Sequence, residues 1–201
     1  TVFLHEQTSR AGLANRLVAA RASAAFVAFP EAAGKLRRAT VVGNPLRPAL
    51  ARFDRAALEP AALERYGIPP GPPVLGVIGG SQGARVLNDV VTRLARDADP
   101  GSMSIVHLTG TSHRDEIAPM AERAPIAWSV IAFEDAMEDF YAVSDLVLCR
   151  AGALTISELA ATGTPAVTVP FAAGTAGHQG ANAAGLEAAG YSGAWTAETA
   201  H

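Results

Sequence analysis

The stretch from Asp145 to Val169 constrains the fold of this chain more than any other part. Two short apolar runs, Asp145–Leu148 and Ala166–Val169, enclose a glycine-containing turn that opens a helical stretch. A strand, a turn, a helix and a second strand in this order form the repeating unit of a doubly wound α/β sheet. The sequence therefore predicts a Rossmann-like parallel sheet with helices on both faces.

The turn inside this unit has the properties of a phosphate and ribose site. A helix start offers free backbone N–H groups and the positive end of a dipole, both of which suit phosphate. Arg150 stands at the mouth of the turn, and Glu158 offers a carboxylate for two vicinal hydroxyls, as a ribose presents. A second turn of this kind, Ile78–Ala84, lies upstream. Two phosphate-type turns in one sheet predict a nucleotide site.

Simpler interpretations of both turns stay open. Thr155 and Glu158 have the spacing of a capping box, which would explain Glu158 without any ligand. The Gly79–Gly83 segment would also serve as a tight turn in which Ser81 caps the next helix. It is neither a Gly-x-Gly-x-x-Gly motif nor a lysine-bearing P-loop, which argues against a dinucleotide or ATP.

Three further places carry polar or aromatic groups with two interpretations each. The loop that begins at Phe133 suits stacking on a base, although Phe133 taken alone favours a core position. His178, Gln179 and Asn182 mark a helix start whose amides suit sugar hydroxyls or merely face solvent. Arg47 lies at a domain boundary, where two-domain enzymes often bind ligands, or is a solvated linker residue.

The chain divides into three parts by pattern. Residues 1–44 have the pattern of the end of one Rossmann-like domain, residues 45–73 form a proline-rich linker, and residues 74–201 form a second such domain. Strands and helices alternate with short loops in the last part, which indicates a parallel sheet. Pro60 predicts a break in the one helix of the linker.

Composition excludes several classes of protein. A net charge of −3 gives no general basic field for nucleic acid, and a single cysteine excludes an internal disulfide framework. Cys149 is expected to be a small buried residue. No apolar run reaches the ~18 residues of a membrane span. Because Val2–Leu4 reads as a strand without a lead-in, we expect a fragment that lacks an N-terminal portion and a C-terminal helix.

These residues and motifs together resemble the MurG family of bacterial glycosyltransferases. The motifs that carry the resemblance, in the family's order, are His5–Gln7, Gly43–Arg47, Gly79–Ala84, Phe133, Cys149–Glu158, and His178–Gln179 with Asn182. The family transfers N-acetylglucosamine from UDP-N-acetylglucosamine to lipid I and makes lipid II, the peptidoglycan precursor. The resemblance implies a GT-B fold, two Rossmann-like domains with the donor in the cleft. It also implies an inverting hexosyltransferase without cofactor or metal, at the cytoplasmic face of the cell membrane.

The resemblance assigns donor-binding roles residue by residue. Glu158 holds the ribose hydroxyls, while Phe133 and the backbone of Glu134 border the uracil. The remaining donor-binding positions are Ser81, Ala153, Leu154, Thr155 and Arg150 around the diphosphate, His178 and Gln179 at the sugar, and Arg47 at the hinge.

The chain departs from the family pattern in three places. Thr8 stands where members often have asparagine, the loop 172–177 lacks the usual acidic residues, and the N-terminal glycine-rich loop with its histidine is absent. The acceptor site, the catalytic base and the membrane contact are therefore expected outside this sequence, and the chain alone is expected to be inactive. Two alternatives remain, a UDP-sugar-binding module of a split glycosyltransferase and another GT-B enzyme such as a glycolipid transferase or a UDP-sugar epimerase.

Overall fold

The computed structural model describes residues 1–80, 84–170, 178–188 and 192–194. Within these ranges the chain forms a sheet of three strands and a sheet of six, called here the first and the second sheet. The first sheet consists of β1 (Phe3–Glu6), β2 (Ala24–Val27) and β3 (Ala39–Val41), with helices α1 (Leu13–Ala19) and α2 (Pro30–Ala33) between them. Its strands are parallel.

Two helices connect the sheets, namely α3 (Pro48–Ala51) and α4 (Arg55–Tyr66). The expected break at Pro60 is wrong, since α4 continues through this proline. Asp54 caps the helix by accepting a hydrogen bond from the Ala57 N–H (3.3 Å), and Gly67 ends it with a φ of 65°. Between these ends α4 packs along a later helix, α7, and this packing outweighs the hydrogen bond that proline cannot donate.

The second sheet has the strand order β6-β5-β4-β7-β8-β9. Its strands are β4 (Val74–Ile78), β5 (Ser104–Leu108), β6 (Ala127–Ile131), β7 (Leu146–Cys149), β8 (Ala166–Thr168) and β9 (Ser192–Ala194). All neighbouring strands pair in parallel. The helices between them are α5 (Arg85–Asp97), α6 (Arg114–Ala121), α7 (Met137–Val143), α8 (Ala153–Thr162) and α9 (His178–Ala188).

Helices cover both faces of the second sheet, as the sequence predicts. On one face, Leu75 and Val77 of β4 pack against Val91 of α5. On the other face, a larger core gathers side chains from α4, α7, α8 and α9, with Phe140 and Tyr141 of α7 fully buried at its centre. In the part of the chain that the structure describes, no helix is long and apolar enough to cross a membrane.

The strand order fixes where a ligand meets this sheet. The chain proceeds from β4 to β5 on one side and from β7 to β8 on the other, so the order reverses between β4 and β7. In open α/β sheets, ligands bind at the carboxyl ends of the two strands that flank such a reversal. The two turns singled out by sequence follow these two strands.

Candidate functional site

The two turns leave the second sheet side by side. Ile78 at the end of β4 is paired with Cys149 at the end of β7, so the segments that follow them start from the same edge. Gly80 has a φ of 84°, a conformation that glycine adopts without strain. Ser81 lies outside the described residues, so its predicted contact with the diphosphate stays a prediction.

The start of α8 has no side-chain cap within the described residues. Its N-cap residue is Gly152. Ala153 and Leu154 therefore occupy the first helical positions, where backbone N–H groups have no partner inside the helix. Leu154 is 46% exposed, and the Thr155 Oγ1 lies 3.6 Å from the place of a Cβ on Gly152. These predicted diphosphate residues thus surround one uncapped helix start.

Glu158 does not belong to a capping box. The box would require a side-chain bond back to the helix start, whereas its Oε2 accepts a hydrogen bond from the Tyr141 hydroxyl at 2.9 Å. Burial raises the pKa of Glu158, while the Tyr141 hydrogen bond and the charge of Arg47 oppose that rise. The half-buried carboxylate is thus held on one side by Tyr141, and the capping interpretation is wrong.

Arg47 joins the hinge to the second sheet. Its guanidinium donates a hydrogen bond to the backbone carbonyl of Asp135, and its charge acts on Glu158. The structure therefore brings together the hinge arginine, the loop after β6 and the carboxylate of α8, which lie far apart in sequence. In the same loop Phe133 is 56% exposed, so the interpretation of Phe133 as a core residue is wrong.

Glu134 fixes this loop with its side chain. The buried carboxylate accepts hydrogen bonds from Arg65 at 2.7 Å, from the Tyr66 hydroxyl at 2.9 Å and from the Ala136 N–H at 2.8 Å. Burial raises the pKa of Glu134, but these hydrogen bonds outweigh it and lower the pKa below the ordinary value. The side chain is thus buried and bonded within its own chain, so the predicted contact of Glu134 with the uracil through its backbone stays a prediction.

Arg150 and Cys149 have internal roles in the described structure. Arg150 is half-buried and donates hydrogen bonds to the carbonyls of Val169 (3.1 Å) and Pro170 (3.4 Å), which ties the β7 turn to the end of β8. Burial lowers the pKa of its guanidinium. Cys149 is fully buried, and burial raises the pKa of its thiol to about 12. The prediction of a small buried residue rather than a nucleophile is confirmed.

The start of α9 carries the predicted sugar residues. The helix begins at His178, whose side chain lies outside the description, and Gln179 is half-buried in its first turn. Asn182 is buried, donates to the Ala151 carbonyl at 3.2 Å and accepts from the Ser9 N–H at 3.4 Å. The interpretation of Asn182 as a solvent-facing residue is therefore wrong, since its amide links α9 to the loop after β1 and to the turn before α8.

Glu6 organises the loop that follows β1. Its buried carboxylate accepts hydrogen bonds from the Thr8 N–H (3.0 Å) and hydroxyl (2.8 Å), from the Gly12 N–H (2.9 Å) and from the Asn15 amide (2.9 Å). Burial raises the pKa of Glu6, but these bonds together lower it. Thr8, the departure from the family pattern, thus supports the loop through Glu6.

Sequence reasoning missed two residues that build this site, Tyr141 and Asn44. The Asn44 amide donates to the Ser157 hydroxyl at 2.9 Å and, at longer range, to the carbonyls of Gln7 (3.1 Å) and Ala153 (3.4 Å). It therefore connects the first sheet to α8. The position of Asn44 in a turn before a proline could have indicated its role from the sequence. For Tyr141, nothing in the sequence indicates the partner of its hydroxyl.

Comparison with known proteins identifies the family. Residues 74–199 match the model of the glycosyltransferase family 28 C-terminal domain. Two curated relatives bear the name UDP-N-acetylglucosamine–N-acetylmuramyl-(pentapeptide) pyrophosphoryl-undecaprenol N-acetylglucosamine transferase. The one from Rhodococcus erythropolis (strain PR4) is 38% identical over 192 residues, 94% of this chain and 49% of the relative. The one from Mycobacterium tuberculosis (strain H37Rv) is 42% identical over 182 residues, 90% of this chain and 43% of the relative.

Solved structures agree with the fold. Acinetobacter baumannii MurG superposes with a TM-score of 0.72 at 27% identity, over 98% of this chain and 54% of that one. The glycosyltransferase of kitacinnamycin superposes with a TM-score of 0.63 at 21% identity, over 89% of this chain and 43% of that one. The predicted α/β fold of GT-B type is confirmed. The chain spans about half the length of the curated relatives it matches.

Proposed function

This chain belongs to the family of glycosyltransferase family 28 C-terminal domains, and we propose that it is the donor-binding part of an inverting N-acetylglucosaminyltransferase. The whole enzyme would transfer N-acetylglucosamine from UDP-N-acetylglucosamine to lipid I and produce lipid II for peptidoglycan. The names of the relatives support this substrate pair. The observation that carries the proposal is the juxtaposition of the uncapped α8 start, the Glu158 carboxylate and Arg47 beside the β4–β7 reversal.

The donor would bind across this edge of the second sheet. The diphosphate would lie at the α8 start, bonded by the N–H groups of the first turn and by Thr155, with Ser81 on the neighbouring turn. Glu158 would accept hydrogen bonds from the ribose hydroxyls, and Phe133 and the Glu134 backbone would border the uracil. Arg150 would shape the diphosphate pocket, and the sugar would meet His178 and Gln179, as the family resemblance assigns them.

The chemistry would be a direct displacement at the anomeric carbon of the sugar. A hydroxyl of the acceptor attacks, the bond to the diphosphate oxygen breaks, and negative charge develops on the departing UDP. Fixed dipoles and cations stabilise such charge best when they are in place before the reaction. The α8 dipole and the Arg47 guanidinium, anchored on the Asp135 carbonyl, would supply this stabilisation.

We assign the organisation of the protein in the same way. Residues 1–44 would be the end of an acceptor-side domain, residues 45–73 the linker, and residues 74–201 the UDP-sugar-binding domain. The acceptor site and the base that activates its hydroxyl would lie in a further part of the protein, together with a peripheral contact to the cytoplasmic face of the membrane. The greater length of the relatives supports a further part of this kind.

Calorimetry with this chain tests the donor assignment. We expect UDP and UDP-N-acetylglucosamine to bind more tightly than ADP, because the uracil is read by the loop at Phe133. Glu158→Gln should cost about 1.5–3 kcal/mol of UDP binding, the range for hydrogen bonds to a charged group, with a nearly unchanged melting temperature. Glu116→Gln, an exposed carboxylate on α6, is the matched control. Equal or tighter binding of ADP would refute the uridine assignment.

A further inference from the structure

Tyr141 connects two helices of the candidate site through its hydroxyl. Its side chain is fully buried in α7, packed edge-on against the Phe140 ring with 5.4 Å between the centroids. Its hydroxyl donates to the Glu158 Oε2 on α8, at 2.9 Å. The buried phenol therefore ends on the carboxylate that the proposed function assigns to the ribose.

This contact restricts a side chain that would otherwise be free to rotate. Glu158 has three rotatable bonds and stands on a half-exposed face of α8. With Oε2 held by Tyr141, Oε1 has no hydrogen bond within the described residues, and Oε2 keeps one lone pair. The acceptor positions that remain are those that two vicinal hydroxyls need, and their direction is set before a ligand arrives.

The same contact influences the charge of the carboxylate. The groups that act on Glu158 are Tyr141 from α7 and Arg47 from the hinge, and both favour the ionised form. Burial acts in the opposite direction and is the larger influence, so the pKa of Glu158 lies above its ordinary value. Without the phenol, only Arg47 would oppose burial, and the carboxylate would take up its proton at a higher pH.

We propose that Tyr141 is a positioning residue for the nucleotide ribose, which holds the Glu158 carboxylate in the orientation that the two hydroxyls need. The proposal rests on the proposed function, since it takes the ligand to be a uridine nucleotide. Tyr141 touches no ligand itself and acts only through Glu158.

The test compares two ligands on the wild-type chain and on Tyr141→Phe. The ligands are UDP and 2′,3′-dideoxy-UDP, which lacks both hydroxyls, and binding is measured by calorimetry from acidic to mildly alkaline pH. We expect Tyr141→Phe to weaken UDP binding roughly tenfold while leaving 2′,3′-dideoxy-UDP binding unchanged. The pH below which UDP binding declines should shift upward in the variant, because the carboxylate must be ionised to accept both bonds.

Tyr66→Phe is the matched control. It removes another buried tyrosine hydroxyl that donates to a glutamate at 2.9 Å, but the acceptor there is Glu134. This variant should lower the melting temperature without changing the ratio of UDP to 2′,3′-dideoxy-UDP affinity. Tyr141→Phe should fold, because phenylalanine fills the same space and water replaces the hydroxyl at the half-exposed Glu158.

The outcomes separate this proposal from the one on which it rests. If the wild-type chain does not bind UDP, both proposals fail. If it prefers UDP over the dideoxy ligand and Tyr141→Phe keeps that preference and its pH profile, only the role of Tyr141 is refuted. Loss of folding in Tyr141→Phe also refutes it, because the hydroxyl would then serve stability rather than the ribose.

Discussion

Three glutamates have different roles because their surroundings differ. Glu6 and Glu134 are buried, each accepts several hydrogen bonds from its own chain, and the pKa of each is lowered. Glu158 receives one hydrogen bond within the described residues, and burial raises its pKa. A carboxylate whose acceptor positions are filled holds a loop, whereas one with acceptor positions left over is able to bind a ligand. This contrast singles out Glu158 at the scale of single residues.

The Glu134 network predicts a pH-dependent contribution to stability. Its pKa lies below the value of about 4.3 that glutamate has in unfolded chains, so folding gains stability above that pH. This stability is lost as the pH falls from there through the lower folded pKa. Glu134→Gln should cost roughly 1–3 kcal/mol of unfolding free energy at neutral pH, because the hydrogen bonds from Arg65 and Tyr66 lose their charged partner.

Urea unfolding at neutral and at acidic pH measures this contribution. The gap between the wild-type chain and Glu134→Gln should narrow as the pH falls below about 4.3. Glu64→Gln, which removes an exposed carboxylate from the same helix as Arg65, serves as the control and should show no such gap. A gap that stays constant across the whole range would contradict the assigned pKa shift.

Sequence predicts the place of a site residue better than its partner. The position of Glu158 on a helix after a strand follows from local pattern, and so does the burial of Cys149. The bond from Tyr141 and the bonds of Asn182 and Asn44 are tertiary contacts, so their partners are set by how distant elements pack. Local propensity carries no information on such partners.

At the scale of elements, the sequence predicts the alternation of strands and helices, because the spacing of apolar residues differs between strands and helices. The errors fall where packing overrides a local rule. Pro60 does not break α4, because this helix is capped by Asp54 and packs along α7. The apparent capping box in α8 is absent, because Gly152 begins that helix and Glu158 is drawn to α7 instead.

The packing of α7 on β4 predicts that a single added methyl group at Gly76 lowers the stability of the protein. A Cβ at Gly76, in the middle of β4, would lie 2.3 Å from the Ser144 Oγ and 2.7 Å from the Phe140 ring. Neither contact is possible without movement, so Gly76→Ala should lower the free energy of unfolding by about 1–3 kcal/mol. Chemical denaturation measures the loss.

Gly34→Ala provides the comparison for this substitution. Gly34 ends α2 with a φ of −67°, and a Cβ there would meet no described atom within 4 Å beyond its neighbours in the chain. This variant should stay within about 0.5 kcal/mol of the wild-type chain. Equal stability of Gly76→Ala and Gly34→Ala would mean that α7 does not press on β4 as the structure shows.

At the scale of the whole molecule, hydrogen bonds join the segments that follow strands of the first sheet to the candidate site on the second sheet. Asn44 bonds to Ser157 on α8, Asn182 on α9 accepts from Ser9, and Arg47 reaches the Asp135 carbonyl. A separate donor-binding module of a split transferase would not need such a partner sheet. These contacts therefore favour a two-domain transferase over that alternative.

The same arrangement predicts that this chain binds the nucleotide without catalysing the transfer of the sugar. Glycosyl transfer needs an acceptor hydroxyl and a base held close to the anomeric carbon, and correct placement of reacting groups contributes up to ~7–11 kcal/mol. The polar groups near the end of β1 are engaged elsewhere, since Glu6 is filled by internal bonds and the His5 ring bonds to the Gly43 carbonyl at 3.0 Å. We therefore expect this chain to bind UDP but to show no measurable transfer to lipid I.

A radiolabelled transfer assay with lipid I, run beside the whole Mycobacterium tuberculosis relative, tests this separation. The relative should transfer the sugar, as its name states, whereas the 201-residue chain should not. Calorimetry on the same preparation must show UDP binding, so that inactivity is not mistaken for misfolding. Robust transfer by the chain alone would contradict this prediction and would place a base and an acceptor site within these residues.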